Sequence, residues 1–247
     1  MTTRLDRITP ILNWLAVGLV IICLFMIFFY APNERNMGNV QRILYFHVGS
    51  AWVALITFLV ALYAGIRYLR RPSRDWDTVA MASVEIGVIF TTITIISGSV
   101  WAKPAWNTWW VWSPRLTLIV VMWLTYVAYF MLRNAIEDED KRRRFAAIYV
   151  ILAFVTVILT FASIRILRDI HPVIVGPVAE AAQGVAQGEQ DFAPGLAARM
   201  RLVLYGVATP TFIVIYAAWL ANRMRLQRMI DQTTALKARV VARLQHG

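Results

Sequence analysis

Apolar residues gather into six long runs along the chain, and short polar segments separate one run from the next. Each run holds 17 to 24 residues, and a helix needs about 20 apolar residues, with about 17 as a lower bound, to cross a bilayer core. The pattern predicts an all-α polytopic membrane protein, residues 1–247 forming a single integral membrane domain. Its six predicted transmembrane helices are Ile11–Tyr30, Ile43–Ile66, Thr78–Val100, Leu116–Leu132, Phe145–Ile164 and Leu202–Ala221.

The first run has the basic start of a signal peptide, because Arg4 and Arg7 precede it. Its 20 residues exceed the usual apolar stretch of a signal peptide, about 7–15 residues, and Asn33-Glu34-Arg35 follows instead of a small-residue cleavage site. We therefore expect a retained helix. The composition agrees with a membrane protein, since 59% of the residues are apolar, against about 45–50% in soluble domains.

The 25 Lys and Arg residues are divided unevenly between the two sides that six spans define. Seventeen lie on the side that holds both termini and the second and fourth loops, and eight lie on the other side. The positive-inside rule then predicts cytoplasmic N- and C-termini and an outward-facing first, third and fifth loop. Residues 222–247 form a basic cytoplasmic tail, predicted to be an amphipathic helix near anionic lipid headgroups. The net charge of +11 is therefore not interpreted as a nucleic-acid interface.

The predicted third loop, a Trp-rich loop over residues 101–115 on the outer face between helices 3 and 4, contains half of the tryptophans of the chain. An aromatic belt at the membrane interface is the simpler explanation of interfacial Trp. Five within twelve residues, bracketed by Pro104 and Pro114, are denser than anchoring requires. Flat indole rings suit a flat apolar macrocycle, and each stacked ring adds about 0.5–1.5 kcal/mol. The five are Trp101, Trp106, Trp109, Trp110 and Trp112.

Two of the three histidines fall on the same predicted outer side as these tryptophans. His47 lies about one turn inside the second span, where an ionisable side chain is a functional candidate, although a histidine hydrogen-bonded to a neighbouring helix is the alternative. His171 follows the fifth span and precedes Pro172; simple solvation is its alternative. His246 is assigned to the tail. Neutral imidazole is a good iron ligand, and two imidazoles on opposite faces of heme give a six-coordinate iron.

These residues lead to the hypothesis of a non-covalent heme b site whose iron has His47 and His171 as axial ligands. Its propionates need cationic partners, and we favour Arg115, which ends the Trp-rich loop; the other candidates are Lys103, Arg42, Arg165 and Arg168. The chain contains no Cys-x-x-Cys-His motif, and Cys23 is its only cysteine, so covalently attached heme and an internal disulfide are excluded.

The run from Trp106 to Thr117, W-N-T-W-W-V-W-S-P-R-L-T, resembles the WWD signature of heme-handling proteins, W-G-T-W-W-x-W-D-x-R-L-T. Six spans with the signature between the third and fourth resemble the CcmC branch of this family, which acts in system I cytochrome c maturation. The resemblance places the axial histidines on His47 and His171. It places the heme platform on Trp106, Trp109, Trp110 and Trp112.

The resemblance also implies partners and a location. Members of the branch present heme to the periplasmic chaperone CcmE, together with the CcmA/CcmB ABC transporter and the small subunit CcmD, in the bacterial inner membrane with the heme site facing the periplasm. Two positions depart from the signature: Ser113 replaces its aspartate and Asn107 its glycine. Serine caps a helix as well as aspartate does, and Pro114 suits the first helical position. A role that depends on the aspartate charge is left open.

Two further functions remain as alternatives. The first is a b-type heme redox subunit of a membrane electron-transfer complex, and the second is an enzyme, a heme lyase that forms thioether bonds. We favour a heme-binding and transfer protein that is not an enzyme, because presenting a cofactor requires no bond to be made by the chain.

Three weaker features carry structural expectations. Glu85 in the third span is either part of a proton relay or, the favoured interpretation, a buried carboxyl that is satisfied by a neighbouring helix or paired with Arg133 or Arg67. Pro210 is expected to kink the sixth span. The long fifth loop is expected to be functional, with a short helix near Val178–Gln187 that covers the heme or meets a partner.

Overall fold

The computed structural model of the chain describes residues 4–33, 37–166 and 198–246, and nearly all of them are helical. A π-helical segment, Met26–Tyr30, extends the first helix, and a 3₁₀ turn, Asn39–Arg42, leads into the second. A second π-helical segment, Leu202–Ala208, joins the last two helices. The α-helices are α1 (Arg4–Phe25), α2 (Ile43–Arg70), α3 (Arg74–Trp106), α4 (Pro114–Ala135), α5 (Glu139–Ile166), α6 (Ala198–Arg201) and α7 (Thr209–His246).

Six helical segments in these residues are long and apolar enough to cross a membrane, which confirms the predicted all-α, six-span architecture. The last span combines α6, the π-helical segment and α7. Several helices are longer than the apolar runs that predicted them, and α3 alone has 33 residues. The difference arises because helices continue through the polar membrane interface, where hydropathy no longer marks them.

The central layer of the bundle is the antiparallel pair α2 and α3, against which α4, α5 and α7 pack. Large aromatic side chains fill the space between these helices: Phe58 of α2 stacks on Tyr126 of α4 with ring centroids 3.8 Å apart. Phe90 of α3 stacks on Trp219 of α7 at 5.6 Å. The bundle core is therefore held by interlocking rings that come from different helices.

Helices α2 and α3 approach most closely at Gly87. A Cβ atom at this position would lie 2.5 Å from Thr57 Oγ1 and 2.6 Å from Phe58 Cε1. Phe58 is fully buried and its ring is held by Tyr126, so it has no room to move away. The absence of a side chain at Gly87 thus sets the spacing of the helix pair that carries the site described below.

We expect Gly87→Ala to lower the free energy of unfolding by about 1–3 kcal/mol, the usual cost of overpacking a filled core. Gly18→Ala is the matched control, because nothing lies within 4 Å of a Cβ atom there and alanine favours a helix over glycine by about 1 kcal/mol. Thermal unfolding of both variants in detergent measures the difference. An equal or higher melting temperature for Gly87→Ala would contradict the close packing.

Polar contacts attach α7 to two other helices. Arg223 donates to both carboxylate oxygens of Glu85 on α3, at 2.7 and 3.1 Å. Asn222 donates to Asn13 Oδ1 of α1 at 2.7 Å, and Arg225 pairs with Asp6 at 3.0 Å. The expectation that a neighbouring helix satisfies Glu85 is confirmed, but the predicted partners were wrong. Arg133 instead pairs with Asp77, and Arg67 lies over the ring of Trp76.

Three other expectations concern the basic tail, Pro210 and the fifth loop, and their outcomes differ. The basic tail is helical, since α7 runs without a break to His246. The irregularity expected at Pro210 occurs just before it, because π-helical hydrogen bonding covers Leu202–Ala208 and regular α-helix begins at Thr209. The short helix expected near 178–187 lies outside the described residues.

Candidate functional site

The Trp-rich segment is shorter as a loop than the sequence suggested. Helix α3 continues through Pro104 and ends at Trp106, so only residues 107–113 connect it to α4. Trp101 and Trp106 are therefore helical residues, and the expected loop over residues 101–115 is corrected to this seven-residue connection. Pro104 has no N–H to donate to the carbonyl of Val100, so α3 lacks one backbone hydrogen bond near its C-terminal end.

Both ends of the connection are fixed by local hydrogen bonds. Asn107 adopts a left-handed conformation with φ 55°, the usual way to end a helix, and Lys103 Nζ donates to its carbonyl oxygen at 3.2 Å and its side-chain oxygen at 3.1 Å. At the other end, Ser113 Oγ accepts from the Leu116 N–H at 3.4 Å and Pro114 begins α4. The predicted capping role of Ser113 is confirmed.

A cavity lies beneath this connection, between α2, α3, α4 and α5. It brings together one histidine, four tryptophans and one arginine that the sequence had singled out: His47, Trp101, Trp106, Trp109, Trp110 and Arg115. Trp112 does not line the cavity. Its ring is 72% exposed and lies edge-on to Trp110 at 5.7 Å, so it extends the aromatic surface outside the mouth.

The ring of His47 is oriented by α3. Its Nδ1 atom lies 3.0 Å from the main-chain oxygen of Thr94 and 3.2 Å from Ser97 Oγ. A carbonyl oxygen can only accept, so Nδ1 carries the proton in the neutral ring and Nε2 carries the lone pair. This is the tautomer in which Nε2 can bind a metal ion while Nδ1–H is held by the protein.

Gly98 makes the position of this ring possible. A Cβ atom at Gly98 would lie 2.8 Å from His47 Cε1 and 3.2 Å from Nδ1. The imidazole therefore packs directly on the backbone of α3, and any side chain at this position would displace it.

The cavity changes character from mouth to floor. Arg115 and the tryptophans surround the mouth, whereas the floor is formed by small and apolar side chains such as Ala54, Ile119 and Met122. Thr91 adds a hydroxyl there, but it donates to its own helix at Gly87 O, 2.8 Å away. The lining thus suits a ligand that is largely apolar and carries an anionic edge.

The volume of the cavity is about 110 Å³, below the roughly 300–1,000 Å³ typical of enclosed small-molecule sites. A macrocycle held by these walls would extend beyond them toward the exposed side, where Trp109 is 58% exposed. The geometry favours a ligand that is bound in the cavity along one edge and remains accessible to solvent along its opposite edge.

Two described candidates for a propionate partner, Lys103 and Arg42, do not line this cavity. His171, Arg168 and the side chain of Arg165 lie outside what the structure describes. Lys103 caps α3, as above, and Arg42 lies 5.5 Å from the ring of Phe28 and donates to Asn33 at 3.1 Å. Among the described cations proposed as propionate partners, Arg115 is the one that lines the cavity.

Sequence reasoning missed the residues of α3 that support His47, namely Thr94, Ser97 and Gly98. A signal was available, because Ser97-Gly98-Ser99 is a run of small residues inside an otherwise apolar span. Such runs often mark a close approach of two helices in a membrane.

Comparison with known proteins shows the family to which the chain belongs. A sequence profile of the family described as Heme exporter protein C (CcmC) matches residues 1–237. The chain belongs to the Heme exporter protein C family.

Individual members of the Heme exporter protein C family align along most of the chain. Heme exporter protein C of Paracoccus denitrificans is 28% identical over 214 residues, covering 85% of this chain and 83% of that protein. Heme exporter protein C of Escherichia coli K12 is 29% identical over 218 residues, covering 86% and 81%. The relative from Bradyrhizobium diazoefficiens is 26% identical over 232 residues, covering 92% and 84%. The chain is therefore a multi-pass membrane member of a family that handles heme in cytochrome c maturation.

Proposed function

We propose that this chain binds heme b non-covalently at the outer surface of the bacterial inner membrane and presents it to a periplasmic CcmE-type chaperone. The single observation that carries the proposal is the cavity that unites His47, four tryptophans and Arg115. A neutral imidazole whose Nδ1–H is held by α3, flat aromatic walls and one guanidinium match the iron, the macrocycle and a propionate of heme. When bound, heme supplies the iron centre that the imidazole ligates.

The residues of the chain have separate tasks in this proposal. His47 binds iron through Nε2. Trp106, Trp109 and Trp110 cover the porphyrin face and exclude water from it, and Trp101 supports them, its ring being edge-on to Trp106 at 5.0 Å. Arg115 forms a charge-assisted hydrogen bond with a propionate. Trp112, exposed beside the mouth, offers a surface for the partner that receives the heme.

His171 is proposed as the second axial ligand, on the strength of the sequence and the family resemblance. It follows α5, and α5 contributes Thr160 and Phe161 to the cavity wall. His171 comes five residues after Ile166, the last residue of α5, and this short separation in the sequence supports it as the second ligand.

The surroundings of the protein follow from charge and family. The uneven distribution of Lys and Arg supports cytoplasmic termini and a heme site that faces the periplasm. Membership of the family supports work within the Ccm system, and we propose a CcmA/CcmB-type ABC transporter and a CcmD-type subunit as partners.

The chain transfers a cofactor and is not itself an enzyme. Among the described spans His47 is the sole histidine, so those spans offer no imidazole for the second heme that a transmembrane redox path needs.

Filling the cavity tests the proposal. Ala51 lines it from α2, and we expect Ala51→Phe to weaken heme binding about 5- to 150-fold, because forcing a bulky ring into the cavity costs about 1–3 kcal/mol. Titration of the purified chain with heme, followed by its Soret absorbance and by quenching of Trp fluorescence, measures the dissociation constant.

Leu59→Phe is the matched control for this experiment, since Leu59 lies on the same helix and is 44% exposed on its outer face. This control should bind heme as the wild type does. The proposal is rejected if Ala51→Phe, with an unchanged melting temperature, binds heme as tightly as Leu59→Phe.

A further inference from the structure

We infer that Ser97, acting with the main-chain carbonyl of Thr94, is a positioning residue that turns His47 Nε2 toward the cavity. The inference rests on the proposed function, because it concerns how the proposed iron ligand is held. Neither group touches the heme in this scheme. Both act through the Nδ1–H of the imidazole.

The hydrogen-bond directions around Ser97 support this role. Ser97 Oγ lies 2.6 Å from the carbonyl oxygen of Ile93, to which its single hydroxyl proton is donated. The hydroxyl oxygen therefore meets His47 Nδ1, at 3.2 Å, as an acceptor. Together with Thr94 O at 3.0 Å, it gives Nδ1–H two acceptors, so the tautomer with the proton on Nδ1 is preferred.

A hydrogen bond also joins α2 and α3 close to His47. Thr94 Oγ1 donates to Ser50 Oγ across the interface of α3 and α2 at 3.0 Å. Ser50 lies one turn after His47 and its hydroxyl is within 2.7 Å of Phe46 O and 2.9 Å of His47 O. The carbonyl of Thr94 and the imidazole of His47 thus keep their relative height, because this hydrogen bond joins α3 to α2 next to both groups.

Acceptors on the distal ring nitrogen strengthen imidazole as a ligand and fix its rotation, and losing such a partner costs about 10–100-fold in metal affinity. Ser97→Ala leaves the Thr94 carbonyl in place, so we expect a loss at the lower end of this range, about tenfold weaker heme binding. Ser97→Thr keeps the hydroxyl and should restore the affinity. Ser163→Ala is the matched control: Ser163 lies on α5, is not among the residues that line the cavity, and its hydroxyl donates within its own helix to Thr160 O at 2.7 Å.

Ligand rescue separates positioning from a general loss of structure. In His47→Gly, added imidazole should occupy the vacated space, donate its N–H to Thr94 O and Ser97 Oγ, and restore heme binding. 1-Methylimidazole, which has no N–H, should restore it about tenfold less well. 4-Methylimidazole, which has the added methyl group and an N–H, controls for size. The preference for an N–H should become smaller in the double variant His47→Gly/Ser97→Ala.

The outcomes distinguish the two proposals. Equal heme affinity of wild type and His47→Gly overturns the proposed function and, with it, the positioning role. The positioning role alone is overturned by a different result. In that case heme binding depends on His47, but Ser97→Ala binds heme as the wild type does and imidazole rescues no better than 1-methylimidazole. The role is supported if Ser97→Ala binds heme more weakly, 1-methylimidazole restores binding less well than imidazole, and Ser97→Thr and Ser163→Ala bind heme as the wild type does.

Discussion

Replacing His47 by glycine is expected to lower the heme affinity of the purified chain by more than about 100-fold. Changes behind a metal ligand already cost about 10–100-fold, and removing the ligand itself costs more. The absorption spectrum should change together with the affinity, because an iron that loses an axial imidazole changes coordination. Heme titration followed by Soret absorbance measures both effects, and millimolar imidazole should recover most of the absorbance.

His246→Gly serves as the control for this variant, since His246 ends α7 and belongs to the tail. It should bind heme with the wild-type affinity and spectrum. His171→Gly is expected to behave as His47→Gly does if both imidazoles ligate the iron together. A His47→Gly protein that keeps the wild-type spectrum and affinity would contradict the assignment of His47 as a ligand.

The largest expected effect on stability arises at the other end of the bundle, where α3, α4 and α5 share a buried ionic network. Arg133 of α4 donates to both oxygens of Asp77 on α3, at 2.6 and 3.0 Å, with side chains only 11% and 10% exposed. Arg133 also donates to Tyr129 Oη at 3.3 Å. Arg143 of α5 lies 3.7 Å from Asp77 and pairs with Glu139.

We expect Arg133→Ala to lower the free energy of unfolding by about 3 kcal/mol, the lower end of the 3–5 kcal/mol that breaking a buried pair costs. The buried Asp77 carboxylate would lose its main partner, while Arg143 remains nearby and limits the loss. Denaturant titration can be followed with a thiol-reactive dye, because Cys23 is the only cysteine and is 3% exposed in the folded chain.

Two further variants sharpen this test. Arg74→Ala removes an exposed pair with Glu139, whose side chains are 62% and 49% exposed, and should change stability by less than about 1 kcal/mol. The double variant Asp77→Leu/Arg133→Leu removes both charges and should be more stable than Arg133→Ala, since apolar replacement leaves no unpaired buried charge. If Arg133→Ala proves as stable as Arg74→Ala, the buried pair does not stabilise the packing of these helices.

The six spans and the Ser113 cap illustrate what local sequence pattern can predict. The six spans followed from runs of apolar residues, because crossing a bilayer requires a fixed length of apolar helix whatever its neighbours are. The Ser113 cap followed for a similar reason, since a capping side chain and the amide that it accepts from are only three residues apart. His47, Arg115 and the tryptophans could be singled out because polar or clustered aromatic residues are unusual in these positions.

Contacts between helices could not be predicted in the same way. The sequence led us to pair Glu85 with Arg133 or Arg67, whereas Glu85 meets Arg223, more than a hundred residues away. The support of His47 by Thr94, Ser97 and Gly98 was missed altogether. Both depend on the rotation of each helix about its axis and on its height relative to its neighbours, and hydropathy records neither.

The sequence by itself thus determined the membrane class, the number of spans, the family resemblance and the candidate site residues. The tertiary structure decided which of them share a cavity, how far α3 extends and which ring nitrogen of His47 is held by the protein. The physical reason is that apolar length and helix capping are local properties of the chain. Side-chain packing and hydrogen bonding between helices depend instead on how all the helices fit together.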